Sequence, residues 1–191
     1  MQTFTTKVVA VLTLSVACTF TQHLDAADFP SRINTGEHQL VLNGWGARTK
    51  LFLELYVAGL YLTEAESNPA AIASANEPMS IRVKITSGMV SQAKLIQSLN
   101  DGFENATNGN VAPIQKEINQ FRSCLTDAIT KGDTFDFVYL PKHGVVINKN
   151  SKFKGVIAGL EFKKALFNIW LSNKPADADL KKAMLTPVTR R

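Results

Sequence analysis

Between Leu40 and Leu62 the chain reads LVLNGWGARTKLFLELYVAGLYL. From Leu51 to Leu62 both alternating sets of side chains are apolar, so this segment is expected as a central strand covered on both faces. Just ahead of it, Gly44-Trp45-Gly46-Ala47-Arg48 is expected to turn the chain into that strand. A strand of this kind needs partner strands at both edges and a layer over each face, and the rest of the chain has to supply them.

Partner strands are legible by alternation. Met79, Ile81, Val83 and Ile85 share one face against Ser80, Arg82 and Lys84, which marks a half-buried strand. Asp133 to Leu140 places Phe135, Phe137 and Tyr139 on one side, and Gly144 to Asn148 and Phe153 to Ile157 are expected strands around an Asn-containing turn. Helical spacing governs Val90 to Ala106, where Leu95, Ile96, Leu99, Phe103 and Ala106 recur at three and four, with Ser87 or Ser91 as the cap. A second helix is expected from Pro113 through Ile114, Ile118, Phe121, Leu125, Ala128 and Ile129 to a stop at Gly132. The third carries Phe162, Ala165, Leu166, Ile169 and Trp170 on one stripe, widened by Leu160, Phe167 and Leu171, so it is buried on more than one side. A short fourth spans Asp177 to Leu185, and Ala70 to Glu77 is expected as a loop. Runs of strands followed by runs of helices imply an α+β fold, an antiparallel sheet with helices packed on one face.

The first 26 residues have the form of a secretory signal, with Lys7, the apolar run Val8 to Phe20, and Leu24-Asp25-Ala26 before a cleavage point. The run is too short to serve as a membrane-spanning anchor. Ser15-Val16-Ala17-Cys18 offers an alternative, lipidation at Cys18. Removal of the signal leaves residues 27–191 as one domain, exported to a periplasm or secreted. It also leaves Cys124 as the lone cysteine, so an internal disulfide is excluded. Cys124 lies on a helical stripe as a small buried hydrophobe, the alternative being a reactive thiol.

His23, His38 and His143 are scattered, so no metal is expected, and no glycine-rich phosphate loop or nucleophile elbow calls for a cofactor or a hydrolase. Asp133 and Asp136, three apart on a strand, point to opposite faces and cannot act as an acid–base pair. Lysine and arginine number 21 against 16 acidic residues, and the surplus, Lys149, Lys163 and Lys164 included, is spread as a solvated surface. Nothing interleaves basic and aromatic residues as nucleic-acid binding requires.

Two motifs carry a resemblance. The Gly-x-Gly-x-Arg stretch leading to Ala58-Gly59-Leu60-Tyr61-Leu62, together with GLEFKKALFNIWLSNK (Gly159 to Lys174) before Pro175, resembles the chalcone isomerase family over roughly Ile33 to Leu185. The resemblance implies an open-faced β-sandwich with a cavity for a lipophile. Arg48 stands where the family's arginine recognises the oxygen functions or carboxylate of a hydrophobic ligand. A guanidinium suits that task, since it presents a fixed fork of donors; the alternative is an ordinary exposed arginine.

Tyr56 falls where the plant enzymes have a catalytic threonine, and a tyrosine there in the fatty-acid-binding branch joins the arginine at the carboxylate. Its alternative is a packed strand aromatic. Asn100 stands for the family's helix asparagine, although no tyrosine accompanies it between Ser87 and Asn108; its alternative is a surface polar residue. On one continuous strand Arg48 and Tyr56 would lie about 25 Å apart, so a hairpin must bring them together. Trp45 either plugs the core or walls the pocket.

The resulting expectation is a non-catalytic binder of a fatty acid or similar hydrophobic carboxylate, with a flavonoid-like ligand as the other small-molecule class. An intramolecular lyase of chalcone isomerase type is the alternative, and a scaffold whose cavity is filled by Phe and Trp side chains is the third reading.

Overall fold

In the computed structural model, residues 29–188 are described; the signal segment and Cys18 lie outside them. Seven strands form one curled antiparallel sheet in the order β1-β2-β3-β4-β5-β6-β7. They are β1 (Arg32–Thr35), β2 (His38–Lys50), β3 (Leu53–Leu62), β4 (Met79–Ile85), β5 (Thr134–Leu140), β6 (Gly144–Lys149) and β7 (Lys152–Ile157). Helix α1 (Pro69–Ser74) lies between β3 and β4; α2 (Gln92–Ala106), a 3₁₀ turn (Ala112–Ile114) and α3 (Gln115–Ser123) lie between β4 and β5. Helices α4 (Leu160–Leu171) and α5 (Ala178–Met184) follow the last strand. This is the expected α+β arrangement.

The sheet's helix-side face and the helices share one core, built from Tyr56, Leu60, Ile81, Val83, Phe135, Phe137 and Ile147 below and Leu99, Phe103, Phe121, Phe162 and Trp170 above. Helix α4 lies deepest, burying eight of its residues, as its wide stripe requires. On the far face Phe29, Leu40, Leu42, Val57 and Tyr61 form a second cluster. Strand β3 is therefore covered on both sides. Trp45 belongs to this far side and stacks on Phe29, ring centroids 5.5 Å apart; it packs there rather than lining the Arg48 cavity.

Four local expectations are corrected. Gly44 to Arg48 is not a turn but the second half of β2, and the chain reverses at Leu51-Phe52 instead. The glycines serve packing: a Cβ on Gly44 would lie 2.2 Å from the Ala183 carbonyl oxygen, and one on Gly46 would lie 2.7 Å from the Ala183 Cβ, so α5 rests on bare backbone. The stretch expected as a loop contains α1, capped by the Asn68 side chain, which accepts the Ala70 and Ala71 N–H groups. Its six residues are too few for a periodicity to show.

Helix α3 stops at Ser123 instead of reaching Gly132. Beyond it the carbonyls of Leu125 and Ala128 accept from the side chains of Gln92 and Lys149, so they do not need a continuing helix. Leu125 still enters the core. Cys124 ends the helix half-buried, with its sulfur pressed against Gly155, and burial raises its thiol pKa.

Lys163 and Lys149 do not belong to a solvated surface. Lys163 is fully buried and donates to the carbonyls of Ile72, Ala73 and Ala75 at 3.1, 2.9 and 2.7 Å, closing the C-terminal end of α1. The rings of Tyr139 and Phe167 flank its ammonium, and burial pulls its pKa down to about 8. Lys149 pairs with Asp133 at 2.9 Å.

Candidate functional site

Arg48 and Tyr56 are directly opposed in the β2–β3 ladder. The two-residue reversal at Leu51-Phe52 removes the separation they would have on one strand. The guanidinium carbon lies 5.5 Å from the centre of the Tyr56 ring, within cation–π range. One guanidinium nitrogen, Nη1, donates to the Ser98 hydroxyl of α2 at 2.7 Å. No carboxylate among the described residues is paired with Arg48. Its charge is therefore met by a hydroxyl and a ring face, both weaker partners than an anion.

Tyr56 is buried, and its hydroxyl accepts the Trp170 indole N–H at 3.0 Å. Burial raises its pKa and the Arg48 charge opposes that, with burial prevailing. The phenol thus stays protonated at neutral pH and can donate a hydrogen bond. It does not serve as a base there.

Around these polar groups the walls are apolar. Val83, Phe135 and Phe137 rise from the sheet, Leu95 and Leu99 come from α2, and Ile169 and Trp170 from α4, with Ala176 closing one side. The space they enclose is about 20 Å³, room for a single water. Rings fill the remainder: Phe137 and Trp170 pack at 6.1 Å between centroids. Larger hollows of about 620 Å³ beside α1 and 570 Å³ between α1, α2 and α4 include neither Arg48 nor Tyr56 in their walls. They are open surface depressions, whereas the chemistry gathers in the small closed one.

Asn100 is not brought to this site. Its side-chain oxygen accepts from Nε and Nη2 of Arg122 at 2.9 and 2.6 Å, tying α2 to α3, and it is absent from the cavity wall. Asp136 pairs with Arg82 on the other face of the sheet. Among the described residues no group of three or more His, Cys, Asp or Glu side chains could hold a metal ion. No described helix is long and apolar enough to cross a membrane.

Sequence reasoning missed Ser98 and the polar role of Trp170. Ser98 carries no pattern, since it is one serine on a helix with several polar residues. Trp170 was legible as a core residue of α4, but its N–H partner lies 114 positions away and is set only by packing.

A crystal structure of a fatty-acid binding protein from Arabidopsis thaliana matches this fold with a TM-score of 0.64, at 16% identity, over 82% of this chain and 90% of that chain. At that identity the likeness concerns the fold alone. No curated protein matches the chain in sequence. The family model described as chalcone isomerase-like matches residues 21–186. The chain belongs to the chalcone isomerase-like family.

Proposed function

We propose that this protein binds a fatty acid or a similar hydrophobic carboxylate between the sheet and helices α2 and α4, without catalysing a reaction. We propose too that residues 1–26 direct its export to a periplasm or out of the cell. The observation that carries the binding reading is the Arg48 guanidinium, which borders an apolar cleft, donates to the Ser98 hydroxyl and lies against Tyr56, with no carboxylate paired to it among the described residues. A carboxylate there would gain a charge-assisted bond from Arg48, and the protonated Tyr56 could donate a second. The fatty-acid binding protein of the same fold supports the ligand class.

A cavity of about 20 Å³ is far below the roughly 300 Å³ or more of a ligand pocket, so an acyl chain is admitted only as α2 moves outward. In this reading the Arg48–Ser98 bond is the latch that the carboxylate replaces. The lyase alternative needs a group to activate a phenol, and α2 supplies none near Arg48 beyond Ser98. No observation favours it.

Native mass spectrometry with solvent extraction of the exported protein tests the binding reading. A stoichiometric fatty acid is expected on the wild type. Arg48→Ala should weaken binding by about 1.5–3 kcal/mol, roughly ten- to hundred-fold. Equal retention by both proteins would sink the proposal.

A further inference from the structure

Phe52 is 100% exposed and Leu51 82% exposed at the β2–β3 reversal. Lys50 pairs with Leu53, so the loop has two residues, and both take positive φ, 50° and 65°. That is the backbone of a type I′ turn, which favours Asn-Gly. The β6–β7 hairpin repeats the form: Lys149 pairs with Lys152, and Asn150 and Ser151 take φ of 51° and 62°. There the chain uses Asn and Ser, in keeping with the geometry. At the β2–β3 tip it uses Leu and Phe, which suit left-handed backbone poorly and bury almost nothing within the chain. Stability of the fold gives no reason for that pair.

The antiparallel order sets the tip at one end of the sheet, together with the β4–α2 connection and the β6–β7 hairpin. Leu53, Met89 and Phe153 are exposed at this same end, by 46, 53 and 66%. Charge is sorted along the same axis. Asp127 and Asp133 there are matched by Lys154 and Lys149, while the exposed Lys50, Lys94, Lys131 and Lys152 outnumber Glu54 and Asp177. Turns at the opposite end expose Glu37, Glu64, Glu66 and Glu77 against Lys142.

We propose that the end bearing Leu51 and Phe52 docks on an anionic lipid surface, with the two side chains among the acyl chains and the lysines against the headgroups. An apolar tip ringed by lysines matches such a surface in both layers, whereas a second copy of this chain would set the lysines against one another. Arg48 lies three residues from the tip, so docking holds the cleft beside the lipid. The inference stands apart from the carboxylate reading, and its test uses no fatty acid.

The exported protein, residues 27–191, is sedimented with vesicles of phosphatidylglycerol and phosphatidylethanolamine, as wild type and as Leu51→Asn/Phe52→Gly. The variant carries the pair that the turn favours, so its thermal midpoint should be unchanged or higher. Its vesicle partition should fall by about ten-fold or more, and wild-type binding should weaken on phosphatidylcholine or in high salt. Equal partition of the two proteins overturns the proposal. Phe52→Trp reports the tip directly: relative to wild type, added emission that shifts blue on vesicles and is quenched by brominated acyl chains is expected. Added emission that stays that of a water-exposed tryptophan overturns it, as does a concentration-dependent blue shift without vesicles, which assigns the tip to a second copy.

Discussion

A charged side chain withdrawn from water keeps its charge only where groups of opposite polarity meet it, and three residues here show different solutions. Arg48 leans on a hydroxyl and a ring, which leaves donors for a ligand. Lys163 is saturated by three carbonyls, which makes it a structural clasp with nothing to offer a ligand. Asp133 is saturated by the opposite chemistry. Burial would raise its pKa, but the Asn150 amide, the Thr130 N–H and Lys149 outweigh that and hold it at about 2 against an ordinary 3.8. Because the folded-state value is the lower one, the stabilisation is present above pH 4 and drains as pH falls towards 2. Asp133→Asn should therefore lose about 2 kcal/mol at neutral pH and show a flatter stability profile between pH 4 and 2 in denaturant titrations. A profile as steep as the wild type's would assign the acid sensitivity elsewhere.

Among the elements, β2 shows best how a motif can be legible and its geometry not. Gly-x-Gly-x-Arg was readable as important, but glycine's commonest use, a turn, was not the use made of it. Its bare backbone admits α5, and that contact joins residues about 140 positions apart. Gly44→Ala should cost about 2–3 kcal/mol by overpacking, seen as a lower unfolding midpoint, while Gly36→Ala tests a different cost, since open space surrounds that glycine and only its φ of 64° resists. Equal stability of Gly44→Ala and wild type would mean that α5 can lift off freely. Helix α3 teaches the complementary lesson. Its apolar spacing continues to Ile129, but side chains from α2 and β6 take the carbonyls that a longer helix would have used.

At the scale of the whole molecule, the proposed entry of a ligand depends on α2. It buries only Leu99, Gly102 and Phe103, against eight residues of α4, and it covers the Arg48 cleft. Amide hydrogens of α2 should exchange faster than those of α4, measured by mass spectrometry after brief labelling. Equal protection would count against admission of a ligand beneath α2. Strands β3 to β7, the deep helix α4 and a serine cap on α2, at Ser87 or Ser91, were legible in the sequence alone, because alternation, helical spacing and short-range capping act between near neighbours, whereas Arg48 and Tyr56 were singled out by the family resemblance. Only the tertiary structure decided that Arg48 faces Tyr56 and Ser98, that Asn100 is taken by Arg122, that Lys163 is buried and that the cleft is nearly filled. Each of those depends on which distant donor meets which acceptor once the helices settle on the sheet, and local pattern carries no record of such meetings.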